Sequence, residues 1–305
     1  MPTPYSGSRP HTVSNTASHS AASPAPRAAN NAPLGYGKAT AFARAERGIQ
    51  ADRNGTHPEQ PAWTVRRVRP VERPSYALRR YDIQWLARNG DLHDKDISAP
   101  AIPIFESAFN AFARGALLPT PTGPVAVEDL LPGDLIETVD QGVQRVQWIG
   151  SMPLDTHGAR SEAAKPERLY RITADTFGLG RPAPDLMLGA GARYLLRADA
   201  LKAYLGVSEA MAPVPSLVDG VSVIEVTPIS TVRSYHIALS RHSLIRVNGV
   251  ELESYHPGTT LSGQLLSELR PRFMELFPYL ESLPGFGPLC QPRLSPTDLL
   301  ELSPR

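Results

Sequence analysis

Apolar and polar positions alternate in short runs through the middle of the chain. These runs are rich in β-branched and apolar side chains and are separated by turn-forming Gly, Pro, Asn and Asp. The runs cover residues 125–127, 135–139, 143–149, 170–173, 221–227, 234–239, 244–247 and 250–253. The pair Asn248-Gly249, which separates the last two runs, is typical of a two-residue hairpin turn. The pattern therefore predicts an all-β body.

Other segments have helical spacing instead. Apolar residues predict a short helix over residues 105–112 and another over residues 199–206. The segment 259–305 has the same spacing, and Pro271 and Pro278 limit its predicted helices to short pieces. We interpret this segment as a short helical tail that covers the β body.

The N-terminal part of the chain lacks such periodicity. Residues 1–80 carry 12 Lys+Arg against 4 Asp+Glu, whereas residues 81–305 carry 19 against 26. A polar segment with so few apolar residues does not offset the entropy of ordering, so residues 1–80 are predicted to be a disordered basic arm. Residues 81–104 follow as an extended linker with a short ordered patch, which ends at the turn-forming pair Asn89-Gly90.

Composition excludes several classes of protein. The 31 prolines disfavour a helical bundle, and the single cysteine, Cys290, excludes an intramolecular disulfide. The sequence has no apolar run of about 18 residues, which excludes a membrane-spanning helix. Its opening residues lack the basic and apolar regions of a Sec-type signal. The cytoplasm is therefore the default location, with export by a non-Sec route left open.

The basic arm raises the question of an anionic partner. Its distal arginines could bind the phosphates of nucleic acid or anionic lipid. They are Arg66, Arg67, Arg69, Arg73, Arg79 and Arg80. Aromatic residues for base stacking are sparse around them, which favours a solvated linker and disfavours a nucleic-acid partner. The sequence specifies no particular protein partner and no oligomeric state.

Three ordered blocks carry a resemblance to a known family. The stretch 112–134 resembles the opening of bacterial Hint (hedgehog/intein) domains, including Val-Glu-Asp-Leu at residues 127–130 and the Gly-Asp that follows. Residues 147–150 and 241–258 resemble later Hint elements in the same order. The resemblance implies a flat, pseudo-twofold β fold over residues 105–258, in a domain type that cleaves its own backbone. No cofactor is expected.

The resemblance also assigns the positions of the self-cleaving groups. In this family the first residue, a cysteine or serine, attacks the preceding carbonyl, and a histidine in a Thr-x-x-His element donates a proton to the departing nitrogen. Aligned on this pattern, the nucleophile position falls on Ala111 and the histidine position on Ala192. A methyl group can perform neither step. We therefore expect no catalytic residues and a vestigial site of Ala111, Ala192, His236 and His242.

The sequence offers two candidate binding sites beside this vestigial site. Arg114 and Arg193 flank the two methyl positions and could form an anion pocket, although surface ion pairing explains them equally well.

His236 and His242 could hold a metal together with Glu225 or Asp219. Ordinary hydrogen-bonded histidines are the favoured interpretation of this pair, so no metal is expected.

Three hypotheses for function follow. The favoured one is a Hint domain inactive in self-cleavage that acts as a structural or interaction module, because catalytic groups act as a unit and two are missing together. The second is autoprocessing near residue 110 by an unrecognised nucleophile such as Ser107 or Ser254. The third is an arginine-arm binder of nucleic acid or anionic membrane. Whether the chain is an enzyme is left open, with the balance against it.

Overall fold

The computed structural model describes residues 76–154, 167–258 and 264–302. The chain divides into a unit of residues 1–69, which lies outside the described residues, and a unit of residues 70–305. The second unit is mostly β, which confirms the predicted all-β class. Its strands are β1 (Leu78–Leu86), β2 (Leu92–Pro100), β3 (Phe112–Ala113), β4 (Leu117–Thr120), β5 (Gly123–Ala126), β6 (Leu135–Glu137), β7 (Val143–Leu154), β8 (Leu169–Ile172), β9 (Leu186–Gly189), β10 (Arg193–Arg197), β11 (Glu209–Pro213), β12 (Val223–Val226), β13 (Val232–Leu239), β14 (Leu244–Val247) and β15 (Val250–Glu253). Its α-helices are α1 (Pro103–Glu106), α2 (Asp199–Leu205), α3 (Gln264–Met274) and α4 (Pro296–Leu302).

The described strands form three sheets. The largest has the order β12-β8-β9-β3-β13-β7-β1-β2, with β6 also pairing with β7. A second sheet has the order β11-β10-β15-β14, and β4 and β5 form a separate hairpin. In the large sheet β3 lies between β9 and β13, where Phe112 pairs with both Leu188 and Tyr235. This topology brings the start of the predicted Hint region against two strands that come much later in the chain.

The hairpin between β14 and β15 forms as the sequence predicts. Val247 pairs with Val250, and the two turn residues between them, Asn248 and Gly249, have φ values of 48° and 87°. Glycine and asparagine adopt this left-handed region most readily, and it matches the twist of the paired strands. The Asn248 side chain also accepts the N–H of Leu117 at 2.7 Å, which ties the turn to β4.

The C-terminal segment packs against the large sheet through aromatic residues. Phe277 packs against Trp148 of β7, and Phe273 packs against Phe277 and Phe105. The indole N–H of Trp148 donates to the carbonyl of Leu276 at 2.7 Å. The helix α3 continues through Pro271 to Met274, so the expectation that Pro271 ends a helix is wrong. The segment is thus a cover that shares the core of the β body.

The expected linker is a hairpin. β1 and β2 pair antiparallel around the turn at Asn89-Gly90, and β1 also pairs with β7. The prediction of an extended linker with a short ordered patch over residues 81–104 places the turn at Asn89-Gly90 but misses strand β2, because the prolines of this segment lie where they cost no hydrogen bond. Pro100 ends β2 and Pro103 begins α1, two positions that need no backbone N–H.

The predicted helix over residues 105–112 is wrong in its length. Helix α1 ends at Glu106, and Phe112 already belongs to strand β3. Phe105, Phe109 and Phe112 are nevertheless fully buried. The apolar spacing therefore reports burial in a tight turn followed by a strand, a case that a periodicity argument does not separate from a helix.

In the described part of the chain, no helix is both long enough and apolar enough to cross a membrane.

Candidate functional site

The peptide between Asn110 and Ala111 is held by backbone groups of the turn between β9 and β10. The Asn110 carbonyl accepts the N–H of Gly191 at 2.7 Å, and the Ala111 carbonyl accepts the N–H of Gly189 at 2.9 Å. A Cβ on Gly189 would lie 1.7 Å from Asn110 Oδ1, and one on Gly191 would lie 2.6 Å from the Asn110 carbonyl oxygen. Glycine is therefore required at both positions for this close approach.

Ala111 and Ala192, the two positions where the family has its catalytic groups according to the resemblance, both hydrogen-bond to the backbone of Gly189. Ala111 and Ala192 are buried, and the Ala192 N–H donates to the carbonyl of Gly189 at 3.1 Å while the Ala111 carbonyl accepts the Gly189 N–H. The structure thus brings together the two residues that the sequence assigned to the nucleophile and the proton donor. Neither side chain has a lone pair or a transferable proton.

Three serine hydroxyls are the candidate replacements for the nucleophile. Ser234 Oγ donates to the Phe109 carbonyl at 2.9 Å, and Ser107 Oγ donates to the Ile104 carbonyl at 3.3 Å. Ser254 Oγ accepts the N–H of Ser243 at 3.0 Å. These partners are backbone groups, and in the described residues no imidazole or carboxylate hydrogen-bonds any of the three hydroxyls. A serine without an adjacent base is a weak nucleophile.

A cleft of about 500 Å³ lies beside this junction. Its walls are formed by Ser107, Ala190, Gly191, Arg193, His236, Glu253, Tyr255, His256, Pro257, Gly258, Leu289, Arg293, Leu294, Ser295 and Pro296. The residues come from the turns after α1 and β9, from β10, β13 and β15, from the segment that follows β15, and from the C-terminal segment. The cleft therefore exists only when the C-terminal cover is in place.

Glu253 at the end of β15 is the buried anion of this cleft. Arg293 Nη2 lies 2.8 Å from Glu253 Oε1, and His242 Nε2 lies 3.3 Å from Oε2 without hydrogen-bond alignment. His242 Nδ1 accepts the N–H of Cys290, so the N–H of the ring is on Nε2, the nitrogen that faces Glu253. Burial opposes ionisation of Glu253, but His242 and Arg293 outweigh it and hold the pKa of the carboxyl below its usual value.

His236 and His256 are neutral in the folded protein. Burial lowers the pKa of His236 to about 3 and that of His256 to about 4. His236 Nδ1 accepts the N–H of Ile237 at 3.1 Å, which leaves its proton on Nε2. His256 is fully engaged, since Nδ1 accepts the Gly258 N–H and Nε2 lies 3.0 Å from the Gly287 carbonyl.

The structure does not bring the two predicted anion-pocket arginines together. Arg114 is exposed and its Nε lies 3.3 Å from Glu128 Oε1, whereas Arg193 lines the cleft and its Nε lies 3.7 Å from Glu253 Oε1. Arg114 is thus explained by surface ion pairing, and Arg193 alone belongs to the cleft.

The residues considered for a metal are also separated. Glu225 pairs with Arg168, and Asp219 accepts three backbone N–H groups of its own loop at 2.8 Å. Among the described residues, no group of three or more His, Cys, Asp and Glu is arranged to hold a metal ion.

The arginine run divides at the start of β1. Arg79 and Arg80 belong to this strand, where Arg79 pairs with Glu167 and Arg80 with Asp96. These two residues are therefore not part of a disordered arm, and the boundary predicted at residue 80 is wrong. The other four arginines of the run lie outside the described residues.

Sequence reasoning missed Arg293 as a functional residue. Its contacts with Glu253 join positions 40 residues apart, and a single arginine in a proline-rich tail carries no periodic signal. Glu253 lies on the polar phase of the alternating Val-Glu-Leu-Glu run, so the sequence carries no signal of its burial, whereas in the structure it is 3% exposed. A buried carboxylate requires a cationic partner, and Arg293 is that partner.

Comparison with known proteins identifies the domain. Residues 110–259 match the family model of the Hint domain. The chain therefore contains a Hint domain over these residues, which confirms the resemblance found in the sequence.

Two solved structures are similar to part of the chain. The solution structure of a bacterial intein-like domain from Clostridium thermocellum is 12% identical, with a TM-score of 0.34, and the match covers 48% of this chain and 99% of that chain. The crystal structure of the MchDnaB-1 intein is 17% identical, with a TM-score of 0.27, and the match covers 48% of this chain and 100% of that chain. No curated protein matches the chain.

Proposed function

We propose that this Hint domain does not cleave its own backbone and acts as a structural or interaction module. The observation that carries the proposal is that Ala111 and Ala192 both hydrogen-bond to the backbone of Gly189. The two positions that the family resemblance assigns to nucleophile and proton donor lie together and hold methyl groups. Without a nucleophile the attack on the carbonyl cannot start, and without a proton donor the amine cannot leave.

The surroundings of the junction support the same conclusion. Ser234 is the serine whose hydrogen bond lies nearest the junction, and it donates its proton to the Phe109 carbonyl oxygen instead of passing it to a base. A hydroxyl in this role stabilises the carbonyl and has no activated lone pair to attack with. The neutral imidazole of His236 lines the cleft, but its Nδ1 is occupied by the N–H of Ile237.

The experiment that tests the proposal is the intact mass of the purified chain during long incubation, with and without added thiol. A full-length mass throughout is the expected result. Fragments that divide the chain between residues 107 and 111, or next to Ser254, would reject the silent domain in favour of autoprocessing. The double variant Ala111→Cys, Ala192→His is the matched positive control, because it restores both missing groups to the same backbone.

A further inference from the structure

The guanidinium of Arg193 is the unused cation of the cleft. It makes no hydrogen bond to a described residue, and its Nη1 is buried without a partner. Its one ion-pair contact is 3.7 Å from Nε to Glu253, while 29% of its side chain stays exposed at the cleft. Burial lowers the pKa of Arg193 below its usual value, against the attraction of Glu253. The buried N–H groups on Nη1 of Arg193 therefore lack a hydrogen-bond acceptor among the described residues.

Glu253 cannot supply that acceptor. Arg293 binds both of its oxygens, through Nη2 at 2.8 Å and Nε at 3.1 Å, and His242 faces one of them. With His236 and His256 neutral, the two arginines and one carboxylate leave the cleft with one positive charge. A site with spare positive charge favours an anion.

A second donor lies in the same cleft. His236 is 3% exposed, lines the cleft and carries its proton on Nε2. A ring N–H that lines the cleft can donate to an oxygen of a bound ligand. The turn residues Ala190 and Gly191 line the same cleft.

We propose that this cleft binds a carboxylate, with the Arg193 guanidinium holding the two oxygens and the Nε2–H of His236 donating to one of them. The planar guanidinium of an arginine can donate two parallel hydrogen bonds to the two oxygens of a carboxylate. The remaining walls include apolar residues, Leu289, Leu294, Pro257 and Pro296, which suit the carbon body of an organic acid better than inorganic phosphate. The inference goes beyond the proposed function and does not depend on it.

The carboxylate can belong to a free small acid or to the C-terminus of a peptide. The test is an NMR titration of the full-length, isotope-labelled protein with acetate, and with acetamide as the neutral analogue, at constant ionic strength. We expect saturable shifts with acetate at a Kd of about 1–10 mM, within the affinity range of so small a ligand, and none with acetamide.

An N-acetylated peptide with a free C-terminus is compared with the same peptide as its amide. Tighter binding of the free-acid peptide than of acetate assigns the site to a peptide terminus, and equal or weaker binding assigns it to a small acid.

Variants separate the cleft from general surface charge. Arg193→Gln is expected to weaken acetate binding at least about tenfold, the effect of losing a bidentate charged contact. Arg114→Gln removes an arginine that pairs with Glu128 outside the cleft and is expected to leave binding unchanged. If Arg193→Gln fails to fold, Arg193→Lys replaces it, keeping the charge but not the planar fork, with a smaller loss expected.

Absence of saturable acetate shifts, equal shifts with acetamide, or equal weakening by the variants at residues 114 and 193 would each overturn the proposal. The intact mass of the same samples reports on self-cleavage separately. Failure of binding and failure of the proposed silence are therefore distinguished in one set of samples.

Discussion

The carbonyl oxygen of Asn110 accepts a hydrogen bond of 2.7 Å from the backbone N–H of Gly191. The residue after this donor is Ala192, at the position that the Hint resemblance assigns to the proton-donating histidine. In the proposed silent domain, the turn after β9 therefore polarises the carbonyl through its backbone but supplies nothing to protonate the departing nitrogen.

The tight turn predicts a steric penalty at Gly191. Gly191→Ala would place a Cβ 2.6 Å from the Asn110 carbonyl oxygen and 2.9 Å from that of Ser107, both backbone atoms that cannot rotate away. We expect a loss of about 1–3 kcal/mol in the free energy of unfolding, measured by urea denaturation. Ala190→Ser, at the exposed residue of the same turn, is the control and should change stability by less than about 0.5 kcal/mol. Equal effects of the two changes would argue against the close approach.

The C-terminal cover predicts a large effect at Phe277. Its ring stacks on Tyr255 at 5.2 Å and contacts Trp148 at 4.8 Å, and the side chain is fully buried. Phe277→Ala should reduce the free energy of unfolding by about 3–5 kcal/mol through lost burial and the cavity that remains. Leu300→Ala, at a residue that is 77% exposed, should be close to neutral. A small effect at Phe277 would show that the cover is detached in solution.

Burial of neutral histidines predicts loss of stability in mild acid. His236 and His256 have pKa values of about 3 and about 4 in the folded protein, below the ordinary value of about 6.5 in the unfolded chain. Their contribution is complete above pH 6.5 and is lost as pH falls from 6.5 towards 4, because only the unfolded state then binds protons. Glu253, whose pKa is lowered in the folded protein, adds stability that is lost in a second window, as the pH falls below about 4.5.

The measurement is urea stability as a function of pH. His236→Phe keeps an aromatic ring against Phe112 and Tyr255 and should flatten the decline between pH 6.5 and 4. His93→Gln, on the exposed face of β2, should leave the profile unchanged. A wild-type profile that is flat over this window would contradict the burial of neutral His236.

The buried ion pair predicts that Glu253 matters more than surface carboxylates. Glu253→Gln leaves Arg293 and Arg193 without a counter-charge at a site that is 3% exposed. Removal of one partner of a buried pair costs about 3–5 kcal/mol, and the retained amide should keep the loss near the lower end. Glu209→Gln, which removes a surface partner of Arg197, should cost less than about 1 kcal/mol. Similar losses from both changes in urea denaturation would contradict the burial assigned to Glu253.

The strands with clear alternation are those that the sequence predicts. β13, β14 and β15 follow the apolar runs closely, and Asn248-Gly249 forms the expected hairpin turn. Local preference and tertiary environment agree in these elements, so periodicity is sufficient to locate them. The assignment of Ala111 and Ala192 to a cleavage site rests on the ordered Hint blocks and stays a prediction.

The elements and residues that the sequence did not predict depend on contacts between residues that are distant in sequence. The strand β2 has mostly exposed residues and is held by its register with β1, so its own pattern gives little signal. Arg293 reaches Glu253 only through the fold of the C-terminal cover. The separation of Arg114 from Arg193 is similarly a property of the sheet, since the sequence places both next to a methyl position.

Hydroxylamine trapping tests the central claim most directly. An acyl shift by any hydroxyl or thiol near residue 110 would form an ester or thioester, and hydroxylamine would cleave it and release two fragments. A silent domain predicts no hydroxylamine-dependent cleavage of the wild-type chain near residue 110. Hydroxylamine also cleaves Asn-Gly bonds, which lie here at residues 54–55, 89–90 and 248–249, and the masses of those fragments distinguish them from cleavage near residue 110. The Ala111→Cys, Ala192→His control is the variant in which fragments near residue 110 are sought. Fragments of the wild-type chain that increase with hydroxylamine and divide it near residue 110 would contradict the account.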